Sequence, residues 1–273
     1  MLDAQKPLPI DATSDILAAL NERGLCLVDN IIPQDALITL RDYLQIRFTS
    51  ASGAKYRNSF IKSGRHKFLS YTMLAPHAIS IYSNKHLISL ANAYCGECHL
   101  SNHRIFQNLE ILPVFGKPMH WHKDNKIDFI DGDGIHKTQM IEDDKGLIMI
   151  MYITDIHKGG TQFLSGSHLY HNGQESFNFS ETSGFECITL NGIAAGTAVL
   201  YDYRTIHRAQ PFHRRKHRRI ALFSQMSPSF MPKGEPIAAL VDELYRLDES
   251  QRSFLGFNSQ FPTAPNWPLD GKN

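Results

Sequence analysis

The chain has 273 residues, 42% of them hydrophobic, enough to bury one sizeable core. Its 28 basic and 27 acidic side chains leave a net charge of +1, so no global field draws it to nucleic acid or to a membrane surface. Four cysteines in this length argue against a disulfide scaffold.

Met1 to Pro9 carries no long apolar stretch and no cleavage pattern. No signal peptide and no transmembrane span are expected, and a cytoplasmic location is the default. Ser14 to Arg23 predicts a short helix, with Asp11 or Thr13 as its cap. Gly24 to Asn30 reads as a strand. Pro33 to Ile46 returns to helical spacing through Leu37, Leu40, Leu44 and Ile46. Residues 50–65 are polar and read as a mobile loop, and His86 to Tyr94 as a helix. Cys95-Gly96-Glu97-Cys98-His99 has the spacing of a c-type haem attachment and of half a zinc site. No second cysteine pair completes a zinc site, and haem attachment needs an exported chain. A helix ending at Gly96, followed by a strand, is the better account.

Beyond residue 100 the pattern turns to β. Arg104 to Leu112, Leu147 to Ile153, Thr197 to Tyr203 and Arg218 to Met226 are rich in β-branched, aromatic and long apolar residues. Turn-forming clusters separate them, which favours a barrel or jelly roll over a parallel α/β sheet. Pro236 to Leu247 has amphipathic helical spacing. The proline-containing tail Asn258 to Asn273 predicts no regular structure. The expected organisation is one domain. It has a helix-rich part over about 1–100, a β-core over about 101–230, and a C-terminal helix and tail over 231–273.

Chemistry concentrates in His122-Lys123-Asp124 and a distant His207. Residues two apart on a strand point to one side, so His122 and Asp124 can bind one ion. Two imidazoles and a carboxylate can occupy one face of an octahedral metal and leave the opposite face open, as in non-haem Fe(II) oxygenases. In a jelly roll, strands far apart in sequence lie side by side, so the distance to His207 is no obstacle. Eleven residues after His207 stands Arg218, at the start of an apolar strand. A buried arginine there suits the distal carboxylate of a dicarboxylate cosubstrate, because its planar fork binds carboxylates bidentately.

Several neighbours have plainer accounts. His120 flanks the ligand pair, but a facial triad needs its other positions open, so a cosubstrate or supporting contact fits it better than a fourth ligand. His168 reads as a turn-stabilising histidine. Asp131-Gly132-Asp133-Gly134 lacks the remaining ligands of a calcium loop. The acidic stretch Asp128 to Asp144 reads as a flexible loop and, following the ligand pair, as a lid. The basic run His213 to Arg219 reads as a solvated turn, not a nucleic-acid patch.

Taken in order, the chain shows His-x-Asp, then Gly159-Gly160-Thr161 to Gly166-Ser167-His168, then Gly196-Thr197 leading an apolar strand, then His207 and an arginine. This order resembles the phytanoyl-CoA dioxygenase family, over about residues 15–226. Gly24 to Pro33 and its following helix resemble that family's N-terminal region. The resemblance implies a mainly β fold with flanking helices, a cupin-like double-stranded β-helix. It also implies Fe(II), 2-oxoglutarate as cosubstrate and O2. By position His122, Asp124 and His207 match the iron ligands, Arg218 the cosubstrate arginine, and Thr161 a polar cosubstrate contact. His120 stands where relatives often carry glutamine, which makes it a third candidate for contact with the cosubstrate. Arg218 and Arg219 point to opposite faces of a strand, and both faces carry apolar residues, so alternation leaves the choice open. The eleven-residue offset selects Arg218 through the resemblance.

The implied reaction is hydroxylation of an unactivated C–H bond in a small molecule, as in the biosynthesis of a natural product. Asp124 in the carboxylate position disfavours halogenation. Desaturation, cyclisation or epoxidation by the same cofactors stays open, as does hydroxylation of an acyl-CoA. So do a cupin-type enzyme that uses metal without 2-oxoglutarate and a non-catalytic β-helix binding protein, although the latter would be marked by a lost ligand. No nucleic-acid or membrane partner is expected, and the oligomeric state is open.

Overall fold

The computed structural model describes residues 6–50, 60–63, 66–69, 71–108, 120–130, 133–141, 143–170, 176–177, 184–210, 219–232, 234, 237–257 and 267–269. Strand β1 (Leu8–Pro9) precedes helix α1 (Thr13–Arg23), which buries Ile16, Ala19 and Leu20 on one face. No side chain caps its start. It stops at Gly24, whose φ of 77° lies in the left-handed region glycine enters without a Cβ penalty. β2 (Leu25–Asp29) follows at once, then α2 (Gln34–Ser50). β3 (Phe60–Ser63) and β4 (His66–Leu69) form an antiparallel pair. After α3 (Ala78–Tyr82), the Asn84 side chain accepts from the Leu87 N–H and caps α4 (Lys85–Cys95). Gly96 ends that helix and β5 (Cys98–Asn108) begins two residues later, as expected; all four cysteines are free.

The β-rich part continues with β6 (Trp121–His122), β7 (Lys126–Ile130), β8 (His136–Met140) and β9 (Leu147–Tyr152). Next come β10 (Thr161–Leu164), β11 (Ser176–Phe177), β12 (Cys187–Thr189) and β13 (Ala198–Asp202). β14 (His207–Ala209), β15 (Ile220–Pro228) and β16 (Ala238–Leu240) lead to helices α5 (Val241–Tyr245) and α6 (Glu249–Leu255), then β17 (Trp267–Leu269).

Two sheets dominate. The larger runs β1-β2-β13-β9-β15-β5-β4-β3 and the smaller β11-β6-β14-β10-β12. Alternation along the large sheet sorts its side chains between two compartments. Met149, Met151, Ala198, Leu200, Ile220 and Leu222 join one core with Ile16, Leu20, Leu40 and Leu87 of the helices. Ile148, Tyr152, Val199, Tyr201 and Ala221 join a second core with Phe163 and Leu190, on the side of the small sheet. Helices therefore cover one face of the large sheet and the small sheet covers the other, the expected jelly-roll layering.

Several expectations change. β2 of the helix-rich N-terminal part lies within the large sheet, paired with β13. Residues 60–63, predicted as part of the 50–65 loop, form β3, because β4 pairs with it on one side and with β5 on the other. Residues 51–59 lie outside the described residues. The expected flexible loop after the ligand pair is largely a hairpin, β7 against β8 from Lys126↔Met140 to Ile130↔His136, docked by the buried Ile127. The expected helix from Pro236 begins as β16. Its partner is β17, supplied by the tail expected to be irregular, so a tertiary pairing overrides helical spacing. The rest of the tail, 258–266 and 270–273, lies outside the described residues. Among the described residues no helix is long and apolar enough to cross a membrane.

A buried ion pair braces the turn that leads to His207. Arg204 forks onto Asp202 through Nε to Oδ1 at 2.9 Å and Nη2 to Oδ2 at 2.7 Å, and Tyr94 Oη donates to Oδ2 at 2.8 Å. The Arg204 side chain also donates to the Asp143 carbonyl, and Thr205 Oγ1 to the Gly24 carbonyl. Asp202→Ala leaves a guanidinium buried without its carboxylate, so the free energy of unfolding should fall by about 3–5 kcal/mol. Urea denaturation measures it. A loss under about 1 kcal/mol would show that the brace is dispensable.

Candidate metal centre

The short strands of the small sheet bring the dispersed ligands together. β14 pairs with β6 at His207↔His122, and with β10 at Phe163↔His207. The two imidazole ring centres are 4.4 Å apart, and Phe163 stacks on His207 at 5.5 Å. Asp124 follows β6, its backbone N–H bonded to the Tyr203 carbonyl. One ligand atom from each of His122, Asp124 and His207 lies within 4.8 Å of the others. His207 Nε2 is 3.2 Å from Asp124 Oδ2, and His122 Nε2 is 3.8 Å from Asp124 Oδ1.

Supporting contacts aim these donors. His122 Nδ1 lies 3.0 Å from the His120 carbonyl, and His207 Nδ1 3.0 Å from the Thr205 carbonyl. A carbonyl only accepts, so each Nδ1 carries the proton and each Nε2 keeps its lone pair for a metal. Tyr201 Oη donates to Asp124 Oδ2 at 2.9 Å. Burial opposes ionisation of Asp124, but His207, His122 and the Tyr201 hydroxyl hold its carboxyl well below the usual range. Burial and the neighbouring His207 lower His122. Burial also works against His207, yet Asp124 beside it raises it. Two donors about 2.1 Å from an ion and at right angles to each other are about 3 Å apart. The His207–Asp124 separation is close to that value, and the N/N/O donor set is one that can occupy a single octahedral face.

The triad faces a cavity of about 240 Å³ between the sheets. Tyr201, Tyr152 and Ala221 of the large sheet line it beside the ligands, with Arg219 immediately before β15 and Thr161 from the small sheet. Phe68, Arg104, Phe106, Ile150 and Phe223 form the rest of the described wall on the large sheet. Arg219 is buried, and its Nη1 donates to the Gly159 carbonyl. Burial lowers its pKa, with Tyr152 acting in the opposite direction.

The structure thus gathers His122, Asp124, His207 and Thr161. His120 is exposed and is not among the residues lining the cavity; its carbonyl orients His122. Arg218 and the basic run 213–217 lie outside the described residues. The arginine at the cavity next to that run is Arg219, which directly precedes β15 and lines the cavity together with Ala221 and Phe223. His168 binds the Asn21 carbonyl of α1 and has a bracing role away from the cavity. Tyr201, Tyr152 and Arg104 escaped the sequence analysis; period-two alternation marks them as sharing a face without marking what that face meets.

Residues 20–220 match the family model described as phytanoyl-CoA dioxygenase (PhyH), a span that holds all three metal-ligand candidates. The chain belongs to the phytanoyl-CoA dioxygenase family. No curated protein sequence matches it. Among solved structures, the epimerase SnoN in complex with Fe3+, alpha ketoglutarate and nogalamycin RO is 15% identical, with a TM-score of 0.60, over 82% of this chain and 88% of that one. SnoK, a non-heme alpha ketoglutarate dependent carbocyclase from nogalamycin biosynthesis, is 14% identical, with a TM-score of 0.61, over 89% and 94% of the two chains. EctD from S. alaskensis, with 2-oxoglutarate and 5-hydroxyectoine, is 15% identical, with a TM-score of 0.61, over 80% and 77%. At such identities the likeness is one of fold, the cupin-like jelly roll.

Proposed function

We propose that the protein is an Fe(II)- and 2-oxoglutarate-dependent oxygenase that hydroxylates an unactivated C–H bond of a small molecule. One observation carries this function: His122, Asp124 and His207 converge at a cavity that also contains a buried arginine. When bound there, iron and 2-oxoglutarate supply the oxidising power to use O2 on a C–H bond. His122, Asp124 and His207 would hold the iron, oriented by the His120 and Thr205 carbonyls and the Tyr201 hydroxyl. Arg219, rather than Arg218, would pair with the distal carboxylate of the cosubstrate. Thr161, 3.5 Å from Tyr152 Oη, offers a second polar contact on that side. The aromatic walls exclude water from the reacting atoms. The family, and the cofactors named in the SnoN and EctD structures, support this function.

Hydroxylation competes with other outcomes on the same fold, as the epimerase SnoN and the carbocyclase SnoK illustrate. Product mass separates them: one added oxygen atom for hydroxylation, two lost hydrogens for desaturation or ring closure, no change for epimerisation. The cofactor assignment is tested without the substrate. Fe(II) with 2-oxoglutarate should give slow succinate release coupled to O2 uptake, abolished by a chelator and restored by Fe(II) but not by Zn(II). An equal O2 uptake without 2-oxoglutarate would favour a cupin-type metal enzyme instead.

Tyr201→Phe removes the phenolic donor from Asp124 and keeps the ring that packs on His207. Loss of such a supporting contact should weaken Fe(II) binding roughly 10- to 100-fold while the fold survives. An anaerobic Fe(II) titration measures it. Unchanged affinity would show that the Tyr201 hydroxyl does not tune the carboxylate.

A further inference from the structure

Two buried carboxamides lie opposite each other in the large sheet, and neither is among the residues lining the cavity. Gln225 of β15 pairs with Asn102 of β5, and the two residues are 3% and 6% exposed. A carboxamide is costly to bury unless its polar atoms are bonded, so its partners indicate what holds it there. Gln225 Nε2 faces two backbone carbonyls, that of Lys126 at 3.3 Å and that of Asp124 at 3.5 Å. A carbonyl only accepts, so the nitrogen of this amide points at them and its oxygen points away. Gln225 Oε1 in turn accepts from Asn102 Nδ2 at 2.7 Å. The two carbonyls thereby fix the orientation of both amides.

The strands aim Gln225 at this segment. Gln225 opposes Asn102 and Met226 opposes Leu100, which leaves Ser101 as an extra residue on β5. A bulge of this kind bends its strand and re-aims side chains. Ser101 Oγ donates to the Gln225 carbonyl at 3.0 Å and holds the irregular register. Phe223, two residues before Gln225, lines the cavity, so Gln225 continues that face of β15.

The segment that Gln225 reaches carries a metal-ligand candidate. Asp124 stands between β6 and β7, in neither strand. Its backbone N–H donates to the Tyr203 carbonyl at 2.9 Å, and its carboxylate accepts from Tyr201. Asn125 is tied to Ile141 through both its backbone carbonyl and its side-chain amide. Gln225 adds a hold on the Asp124 carbonyl itself, from a different strand of the large sheet.

We infer that Gln225, oriented by Asn102, is a positioning residue for Asp124. This rests on the iron and 2-oxoglutarate function proposed above. The direction of a carboxylate follows from the peptide that bears it, and Gln225 sets that peptide against the large sheet. Without this hold the Asp124 backbone can turn, and its carboxylate leaves the place where both imidazole Nε2 atoms face it.

The test is an anaerobic Fe(II) titration with 2-oxoglutarate present, followed by the weak visible charge-transfer band the two produce together. Gln225→Met keeps the length of the side chain and removes both ends of the amide. It should bind Fe(II) roughly 10- to 100-fold more weakly than wild type, the usual loss for a contact that supports a ligand. Asn102→Ala leaves the Gln225 donors in place without their guide and should cost roughly 2- to 10-fold, the worth of one neutral hydrogen bond. Gln225 and Tyr201 act through the same residue, so Gln225→Met combined with Tyr201→Phe should lose less than the product of the single losses. Thermal unfolding without metal establishes that the variants fold and separates lost stability from lost affinity. Gln225 is no positioning residue if folded Gln225→Met binds Fe(II) as tightly as wild type. The same holds if the double variant loses the full product of two measurable single losses. Should Gln225→Met not fold, Asn102→Ala decides, and unchanged Fe(II) affinity there overturns the assignment. A wild type that gives no band with Fe(II) and 2-oxoglutarate would instead overturn the underlying function, and the role of Gln225 with it.

Discussion

Asp124→Ala should abolish turnover and erase the weak visible charge-transfer band that Fe(II) and 2-oxoglutarate produce together without oxygen. His122→Ala should do the same. Each variant removes one of three donors held within 4.8 Å of one another. Losing a contact that merely supports a ligand costs roughly 10- to 100-fold in metal affinity or activity, and losing a ligand itself should cost more. Asp124 carries the larger effect, because it is the centre's one anion and both imidazole Nε2 atoms face it. The measurement is an anaerobic Fe(II) titration of each variant with 2-oxoglutarate present, followed by succinate release in air. A variant that keeps both the band and full activity would remove its residue from the ligand set.

The second large effect is expected at Arg219. Arg219→Ala should raise the 2-oxoglutarate KM by roughly 30- to 1000-fold, the equivalent of about 2–4 kcal/mol for a lost charge-assisted bidentate contact. Arg219→Lys should recover little, because an ammonium cannot reproduce the planar fork. Arg218→Ala should leave the constant nearly unchanged. Succinate release against 2-oxoglutarate concentration measures all three. A large rise for Arg218→Ala with little for Arg219→Ala would restore the choice made by the eleven-residue offset. Arg219 is favoured because it is buried and lines the cavity beside Tyr152 and Thr161.

The metal centre was legible because its signal is local. His122 and Asp124 stand two apart, and that spacing puts both on one side of an extended chain whatever surrounds it. The ordered motifs between them and His207 carried the family resemblance. The helices α1 and α4 were legible for the same reason: apolar spacing, and Gly24 and Gly96 at the ends, act within one or two turns. Pairings over long distances were not. β16 is a strand because β17 lies beside it, and nothing within 238–240 carries that information. β7 and β8 are held as a hairpin by their mutual ladder and by burial of Ile127, although β8 is largely polar.

By itself, the amino-acid sequence determined the mainly β character of residues beyond 100, the helices of the first hundred, and three metal-ligand candidates. Only the tertiary structure decided which face of each large-sheet strand meets the site. β13 and β15 are apolar on both faces, because helices cover one side and the second sheet the other. A strand buried on both sides loses the polar–apolar contrast that would identify its inward face. For that reason Tyr201 and Ala221 line the cavity, with Arg219 just before β15, while Leu200 and Ile220 belong to the core beneath the helices.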